Sequence, residues 1–445
     1  MKYQLITYGC QMNKSDSERI AAFLENRGYK PASKENEANL IVVNMCSVRQ
    51  SAVDRVFGLK PKFKELKAAN SKLKTILTGC ILRKDRGKFT EYFDYILDIK
   101  NLSNWQKIIK SQKSIEFPEP EIFVETIKTS YLKIQPNYYS YPIAYVPISN
   151  GCSNFCSYCV VPYTRGPQIF REVEEILFEV KNLINQNYKE IWLLGQNVNG
   201  YRSGSTQISS RITRISTQIN AEVNFAKLLK KVNDIPGDFW LRFTSPHPKD
   251  FSNELIDIMA ECEKITPYLN LPVQSGDNEI LKKMNRPYTA RDYKNLVKKI
   301  RNKIPEITLS TDVIVGFPGE TKSHFENTVK LFKEIEFDMA YIAQYSPRPG
   351  TAAVKMEDNV PKEEKKKRER ALTEILKKTA LEKNKKYLQR TIEVLPLEWR
   401  NGFLIGKSFH YKTVKFKGGK DLIGKFQKVK ITNATSFGLK GKITS

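Results

Sequence analysis

Long hydrophobic runs are absent from this sequence of 445 residues. No apolar stretch approaches the roughly 20 residues that a membrane-spanning helix needs, so we expect no membrane association. The first apolar segment is too short for a secretory signal, and acidic residues follow it soon. We therefore expect a cytoplasmic protein. Thiols stay reduced in the cytoplasm, which argues against disulfides.

Cysteine and histidine are both scarce, with seven and three residues. Three of the cysteines, Cys152, Cys156 and Cys159, nevertheless lie close together in the segment GCSNFCSYCVVPYTRG. A closed structural zinc site needs a fourth ligand, and histidines to supply it are few. A [4Fe–4S] cluster takes one ligand per iron. Three cysteines would therefore leave one iron open for a chelating substrate or cofactor.

Apolar and helical segments alternate in the N-terminal part of the chain, which predicts a doubly wound parallel α/β sheet. A helix is predicted after the first strand, with its N-cap near Ser15. Cys10, Cys46 and Cys80 each lie at or just after the carboxyl end of a strand, the edge where such sheets bind ligands. Three unrelated buried thiols are the alternative, but the regular placement favours a metal or cluster site. The predicted strands are Tyr3–Gly9, Asn39–Ser47, Leu73–Cys80 and Tyr92–Asp98.

Acidic residues are few relative to basic ones. The 48 Asp and Glu residues face 74 Lys and Arg residues, which gives a formal charge of +26. Such a balance is typical of proteins that bind polyanions, including nucleic acids. An AT-rich genome also enriches lysine codons, and abundant Asn and Ile fit that explanation. The charge indicates nucleic-acid binding and leaves a compositional origin open.

A second series of strands and helices follows a proline-containing connector. About six βα units predict a partial (β/α)6 barrel rather than a closed eightfold one. The loop with Cys152, Cys156 and Cys159 follows the first of these strands, at the end where barrel enzymes build active sites. The predicted strands are Ile143–Ser149, Ile191–Asn197, Phe239–Ser245, Tyr268–Gln274, Ile307–Gly316 and Met339–Ser346.

The Ser/Thr/Gln-rich stretch 202–219 interrupts this order and is predicted to be a surface insertion, neutral or in contact with substrate. A basic amphipathic helix is predicted after the barrel, over 361–388. Its basic face is explained either by solvent exposure of a helix that packs through its apolar stripe or by direct contact with RNA. Its apolar stripe comprises Leu372, Ile375, Leu376 and Leu381.

Short strands and Gly-rich turns at the C-terminus predict a small all-β barrel that binds nucleic acid. Lysines such as Lys407, Lys412, Lys415 and Lys417 would then meet phosphates. The predicted domains are 1–115, 141–375 and 376–445, with the linker 116–140 between the first two.

Many stretches of the sequence together resemble the methylthiotransferase family of radical S-adenosylmethionine (SAM) enzymes. The C-x3-C-x2-C pattern after the first barrel strand is the radical SAM signature, and it is highly specific in that setting. The stretches RFTSPHPKDF and LPVQSG, the latter followed by MNRPYTARDY, are most similar to the branch that modifies tRNA. Other matching stretches are GCQMNKSDSER, VVNMCSVR, LTGC, LLGQNVN, STDVIVGFPGET and YSPRPGTAA.

The resemblance implies two [4Fe–4S] clusters and SAM as cofactors. One cluster binds SAM at its open iron and generates a 5′-deoxyadenosyl radical; the other supplies sulfur that a second SAM methylates. The implied reaction places a methylthio group at C2 of N6-isopentenyladenosine at tRNA position 37. The resemblance also implies an electron donor such as flavodoxin or ferredoxin, and a TRAM domain that holds tRNA. The implied ligands are Cys152, Cys156 and Cys159 for the first cluster and Cys10, Cys46 and Cys80 for the second.

The sequence departs from the family's pattern at a few positions. Met45 stands where Thr is usual, and Gln168 stands where Glu is usual. Sibling enzymes that modify threonylcarbamoyladenosine-37 of tRNA, or a ribosomal protein, are the nearest alternatives. A plain electron carrier would not need a barrel and a basic tail. A non-catalytic RNA-binding protein would not need six cysteines at strand ends and in one loop.

Overall fold

A computed structural model describes residues 1–48, 50–111, 129–203 and 223–444. The N-terminal unit contains five strands, β1 Lys2–Tyr8, β2 Lys30–Pro31, β3 Leu40–Cys46, β4 Lys74–Cys80 and β5 Tyr95–Ile96. They form a parallel sheet in the order β2-β1-β3-β4-β5. The helices of this unit are α1 Gln11–Glu25, α2 Gln50–Phe57, α3 Lys60–Ala69, α4 Arg83–Arg86 and α5 Trp105–Ser111.

Alternate residues of β3 point to opposite layers of this unit. Val42 packs in one core cluster with Ile20 of α1. Ile41 and Val43 pack in another cluster with Val53 of α2. Helices therefore cover both faces of the sheet, and the predicted doubly wound architecture is confirmed.

The central unit contains six parallel strands, as predicted: β6 Ile143–Pro147, β9 Glu190–Leu194, β12 Trp240–Phe243, β13 Tyr268–Asn270, β14 Thr308–Val315 and β15 Met339–Gln344. They form two three-stranded sheets, β12-β9-β6 and β13-β14-β15. An isolated parallel bridge between Leu241 and Ile265 links β12 to the segment just before β13. The arrangement is the expected partial barrel. Two short antiparallel pairs accompany it, β7 Ser149–Asn150 with β8 Ile169–Phe170 and β10 Arg202–Ser203 with β11 Val223–Asn224.

Helices connect and follow the central strands. They are α6 Val161–Arg165, α7 Val173–Asn185, α8 Phe225–Asn233, α9 Asn253–Glu261, α10 Asn278–Lys283, α11 Ala290–Lys303, α12 Lys322–Ile335 and α13 Lys362–Lys385. Leu372 and Leu376 of α13 are buried in the barrel core, and Ile375 packs against it. The packing interpretation of this basic helix is thus confirmed. None of the helices in the described ranges is both long and apolar enough to cross a membrane.

Two predicted segments lie largely outside the described residues. The insertion 202–219 is described only at 202–203, and the linker 116–140 only from 129 onward. The described part of the linker begins with a 3-10 turn, Thr129–Lys133. Within this turn, Tyr131 and Leu132 pack in the same core cluster as the apolar residues of α1.

The C-terminal unit is a closed barrel in the order β16-β17-β18-β20-β19, as predicted. Its loop after β17 docks on the central unit, where buried Arg242 donates hydrogen bonds to the carbonyl oxygens of Ser408 and Phe409, at 2.9 and 3.0 Å. Lys412 forms an ion pair with Asp338 at 2.7 Å. The strands are β16 Thr391–Arg400, β17 Phe403–Ser408, β18 Thr413–Lys417, β19 Gln427–Thr435 and β20 Gly438–Ile443.

Helix α1 is buried along most of its length although much of its first half is polar. Arg19 binds Glu179 of the central unit through two contacts at 3.0 and 3.2 Å, and the Ser15 hydroxyl donates to the carbonyl of Tyr145 at 3.0 Å. A buried charge is tolerated when it is paired and hydrogen-bonded. The polar motif at the start of the chain therefore serves the contact between two units.

Candidate functional site

The structure brings the three N-terminal cysteines to one edge of the sheet. Cys46 and Cys80 are register partners at the ends of β3 and β4. Cys10 is the N-cap residue of α1. On β3, Cys46 has the same parity as Asn44, whose amide contacts Asn13 of α1, so its side chain lies on the α1 side of the sheet.

The three thiols differ in the direction of their pKa shifts. Burial raises the pKa of Cys10. The neighbouring Cys80 side chain lowers the pKa of Cys46, whereas the Cys46 side chain and burial raise the pKa of Cys80. A metal ligand must be the thiolate, so metal binding at these cysteines would release protons.

The second group of cysteines follows β6 and β7. The backbone N–H of Cys152 donates to Gly166 at 3.1 Å, and that of Cys159 donates to Cys156 at 3.0 Å. Gly151 has a φ of +83°, and a Cβ there would lie 2.0 Å from the carbonyl oxygen of the residue after Gly166. The tight turn thus requires glycine and sets the start of the loop.

Burial raises the pKa of Cys152, and it raises that of Cys159 to about 12. The charges of Cys152 and Cys156 also raise the pKa of Cys159. A buried cation accompanies them, because the Arg286 guanidinium lies 3.5 Å from the Cys156 sulfur. Arg286 is itself held by the carbonyl of Pro272 at 3.0 Å.

Arg165 has the corresponding place beside the N-terminal cysteines. Its Nε donates to the Cys80 sulfur at 3.0 Å. Its two other nitrogens donate to Asn150 at 2.9 Å and to Asp16 at 2.7 Å. The sequence stretch YTRG directly after the cysteine loop contains this residue, but nothing in the sequence alone indicated that it reaches across to the other unit.

His247 is another buried residue that the sequence analysis did not single out. Burial, Arg286 and Lys249 lower its pKa to about 2, so the ring is neutral. Nδ1 accepts a hydrogen bond from the backbone N–H of Lys249 at 3.2 Å, which leaves the proton on Nε2. Within the described part of the chain, Nε2 has no hydrogen-bond partner. The loop after β12 therefore presents a neutral N–H donor.

Met45 and Gln168, the two named departures from the family's pattern, lie in different surroundings. Met45 is fully buried in the core cluster on the α2 side of the sheet, opposite the side that Cys46 faces. Gln168 donates from its side chain to the carbonyl of Asn197 at 2.8 Å, and its backbone N–H donates to Ser153 at 3.2 Å. Met45 is thus a packing residue, whereas Gln168 supports the cysteine loop.

Across the described ranges, no group of three or more Cys, His, Asp or Glu side chains is arranged to hold a metal ion. A [4Fe–4S] cluster makes a different demand, because each thiolate binds a separate iron. Two sets of three thiols, each with a buried Arg donating to one sulfur, fit that demand. Hydrogen bonds to the sulfurs are one of the means by which proteins tune such clusters.

Cys262 stands apart from both groups. It is 7% exposed and belongs to the core cluster of the central unit, where it is the C-cap residue of α9. We expect Cys262→Ser to leave the iron content of the reconstituted protein unchanged, because a core thiol of this kind serves packing. Iron and sulfide analysis beside the wild type checks this, and a loss of several irons per chain would contradict it.

Three family models match the chain in succession. They are the Radical SAM superfamily over residues 146–332, the TRAM domain over 387–444 and Uncharacterized protein family UPF0004 over 2–98. The model boundaries fall within the three structural units described above.

The chain is also similar to solved radical SAM structures. TsrM from Kitasatospora setae, a radical SAM methyltransferase bound to tryptophan and a SAM analogue, aligns with a TM-score of 0.55 and 16% identity, over 77% of this chain and 72% of that chain. The cobalamin-dependent SAM radical enzyme OxsB aligns with a TM-score of 0.51 and 12% identity, over 79% of this chain and 54% of that chain. At such identities the likeness shows the fold alone.

Full-length relatives are much more similar in sequence. The tRNA-2-methylthio-N(6)-dimethylallyladenosine synthase of Clostridium novyi is 40% identical over 99% of this chain and 96% of its own length. The enzyme of the same name from Alkaliphilus oremlandii is 38% identical over 99% of this chain and 92% of its own length. The chain therefore belongs to the radical SAM methylthiotransferase family, whose radical SAM domain works with SAM and a [4Fe–4S] cluster.

Proposed function

We propose that this protein is a tRNA methylthiotransferase that places a methylthio group at C2 of N6-isopentenyladenosine at tRNA position 37. Full-length identity to relatives with that name supports the substrate. The observation that carries the chemistry is the pair of three-cysteine groups, one on the sheet edge and one on the barrel loop, joined through Arg165. A single-cluster enzyme would need only one of them.

We propose Cys152, Cys156 and Cys159 as ligands of the cluster that binds SAM. Cys10, Cys46 and Cys80 are the proposed ligands of a second [4Fe–4S] cluster. When bound, the two clusters supply the radical chemistry and the sulfur of the reaction. The protein's own contribution is to cover both groups partly, with Cys46, Cys80 and Cys152 buried and the other three half-buried, and to link them through Arg165.

An electron must reach the radical cluster from outside the chain. We propose a low-potential one-electron carrier such as flavodoxin or ferredoxin as its source. Both the tRNA substrate and a supply of reduced thiols are found in the cytoplasm, where we propose that the enzyme works.

The C-terminal barrel carries a basic face that suits tRNA phosphates. Lys415 of β18 lies directly opposite Lys440 of β20, and Lys442 of β20 lies opposite Lys430 of β19. All four side chains are exposed. Adjacent strands thus present four ammonium groups on one surface, where a phosphate backbone gains electrostatic attraction.

Two lysines predicted to meet phosphates have partners within the protein. Lys412 is 7% exposed and paired with Asp338. The prediction for Lys412 was wrong, because the loop after β17 docks on the central unit. Lys407 is half-buried and donates to Thr413 at 2.8 Å, and burial lowers its pKa to about 8; its contact with phosphate stays a prediction. Alternation along a strand does not reveal which side of a small barrel faces another domain.

Replacing Lys415, Lys430, Lys440 and Lys442 together by Gln should weaken tRNA binding. The slope of log affinity against log salt should fall by about 3, since each phosphate contact contributes roughly 0.7–0.9. Filter binding over a range of salt concentrations measures both. The matched control replaces four exposed lysines on the outer barrel helices, Lys227, Lys231, Lys298 and Lys299. An equal loss in both variants would show that total charge, not this face, binds tRNA.

The proposed substrate is tested by supplying the reconstituted enzyme with SAM, a reductant and three acceptors in parallel. These are isopentenylated tRNA, tRNA with threonylcarbamoyladenosine-37, and isolated ribosomal proteins. We expect 2-methylthio product from the first alone, by mass analysis of nucleosides and peptides. Product from either of the others instead would assign the chain to a sibling activity.

A further inference from the structure

Arg165 is a buried cation that connects the two groups of cysteines. It is the last residue of α6, the short helix that follows the Cys152–Cys159 loop directly. From there its guanidinium crosses to the N-terminal unit and donates to the Cys80 sulfur and to Asp16 of α1. One short segment of chain therefore holds one set of thiols and contacts the other.

Each nitrogen of the Arg165 guanidinium makes a hydrogen bond. Its three nitrogens donate to three different acceptors, at 3.0 Å to Cys80, 2.9 Å to Asn150 and 2.7 Å to Asp16. Only the planar fork of arginine offers donors in such fixed directions, and lysine cannot replace it. The side chain is 6% exposed, so its charge is poorly screened by water.

The guanidinium of Arg165 thus places a buried positive charge next to the N-terminal group of thiols, in direct contact with the Cys80 sulfur. In the loop group, the Arg286 guanidinium has a similar position, 3.5 Å from the Cys156 sulfur.

We propose that Arg165 is a positioning residue for the second cluster, which it holds at a fixed place relative to the radical loop while its Nε–H bond to the Cys80 sulfur raises the reduction potential of that cluster. The proposal rests on the proposed function, because it requires a cluster on Cys10, Cys46 and Cys80. Hydrogen bonds to ligand sulfurs and nearby positive charge are both established determinants of cluster potential. A purely structural side chain would alter stability without altering the potential.

The test uses the full chain with Cys152, Cys156 and Cys159 replaced by Ala, so that only the second cluster assembles. Its midpoint potential is measured by a redox titration followed by electron paramagnetic resonance, with Arg165 present and with R165K or R165Q. Both substitutions should move the potential to more negative values, Gln further than Lys, because Lys keeps the charge and loses the Nε donor. If R165Q fails to fold, R165K alone decides the question.

The matched control is R19K, which changes another buried arginine of the same interface that contacts Glu179 instead of a sulfur. It should leave the potential unchanged. A potential in R165K and R165Q equal to that with Arg165 would overturn the proposal and leave the proposed function standing. If no cluster assembles on Cys10, Cys46 and Cys80 even with Arg165 present, the proposed ligands are wrong and this inference falls with them.

Discussion

The triple variant Cys10→Ala, Cys46→Ala and Cys80→Ala is expected to cleave SAM and yet form no methylthio product. The three sulfurs belong to the N-terminal sheet, whereas the radical loop follows β6 and β7 of the central unit. Removing them should leave about half of the iron, four per cluster, in place. Arg165 loses its bond to Cys80 but keeps those to Asp16 and Asn150, so the loop should stay in position.

Two assays on the reconstituted triple variant decide the outcome. One measures 5′-deoxyadenosine release, and the other measures 2-methylthio nucleosides in isopentenylated tRNA. Cys262→Ser serves as the control for cysteine removal, since that residue is expected to be a packing residue. If the triple variant still forms the methylthio product, the sheet-edge cysteines are structural. Loss of both activities in a folded protein would mean that the two sites depend on each other through Arg165.

Cys152→Ala should abolish reductive cleavage of SAM altogether. Two remaining loop thiolates would not hold a cluster with one open iron, because three protein ligands are required for that arrangement. The substitution leaves the hydrogen bond from the backbone N–H of residue 152 to Gly166 in place, so the loop should keep its conformation. The second cluster should remain, which spectroscopy and iron analysis can verify.

The measurement is 5′-deoxyadenosine released per chain over time, after anaerobic reconstitution with iron and sulfide. Cys262→Ser again provides the comparison, since it removes a thiol outside both groups. Release at the wild-type rate from Cys152→Ala would show that this cysteine is not a required ligand of the SAM-binding cluster. Partial release would point to a substitute ligand from solvent or buffer, which added thiol should then increase.

Much of the fold could be predicted because its patterns are local. Strand and helix alternation revealed both α/β units, and placement of cysteines at strand ends brought Cys10, Cys46 and Cys80 to one edge. Parallel strands end at a common edge, so sequence position alone determines this convergence. The closed C-terminal barrel likewise follows from short strands and frequent turns.

The start of α1 shows where such reasoning stops. The N-cap was predicted near Ser15, but the helix begins at Gln11 with Cys10 as its cap. Asn13 supplies the side-chain oxygen that accepts from the Cys10 N–H, at 3.3 Å, and Ser15 is used in the contact with Tyr145. Partners from another unit thus changed the role of a residue whose local preference is for helix caps.

Arg165 and Lys412 illustrate the same limit at the candidate site. Both are basic residues in a strongly basic chain, and local sequence gives no sign that they are buried in ion pairs with Asp16 and Asp338. Their partners lie far away in sequence. Only the arrangement of the units determines which of the many cations are free to meet phosphate.

The central claim is that this chain installs the methylthio group on isopentenylated adenosine-37. The most direct measurement is mass analysis of nucleosides in total tRNA from cells that lack the chain, and from the same cells with the chain restored. We predict that N6-isopentenyladenosine accumulates without its 2-methylthio form in the deleted cells and that restoration returns the methylthio form. Undiminished 2-methylthio-N6-isopentenyladenosine in the deleted cells would contradict the account.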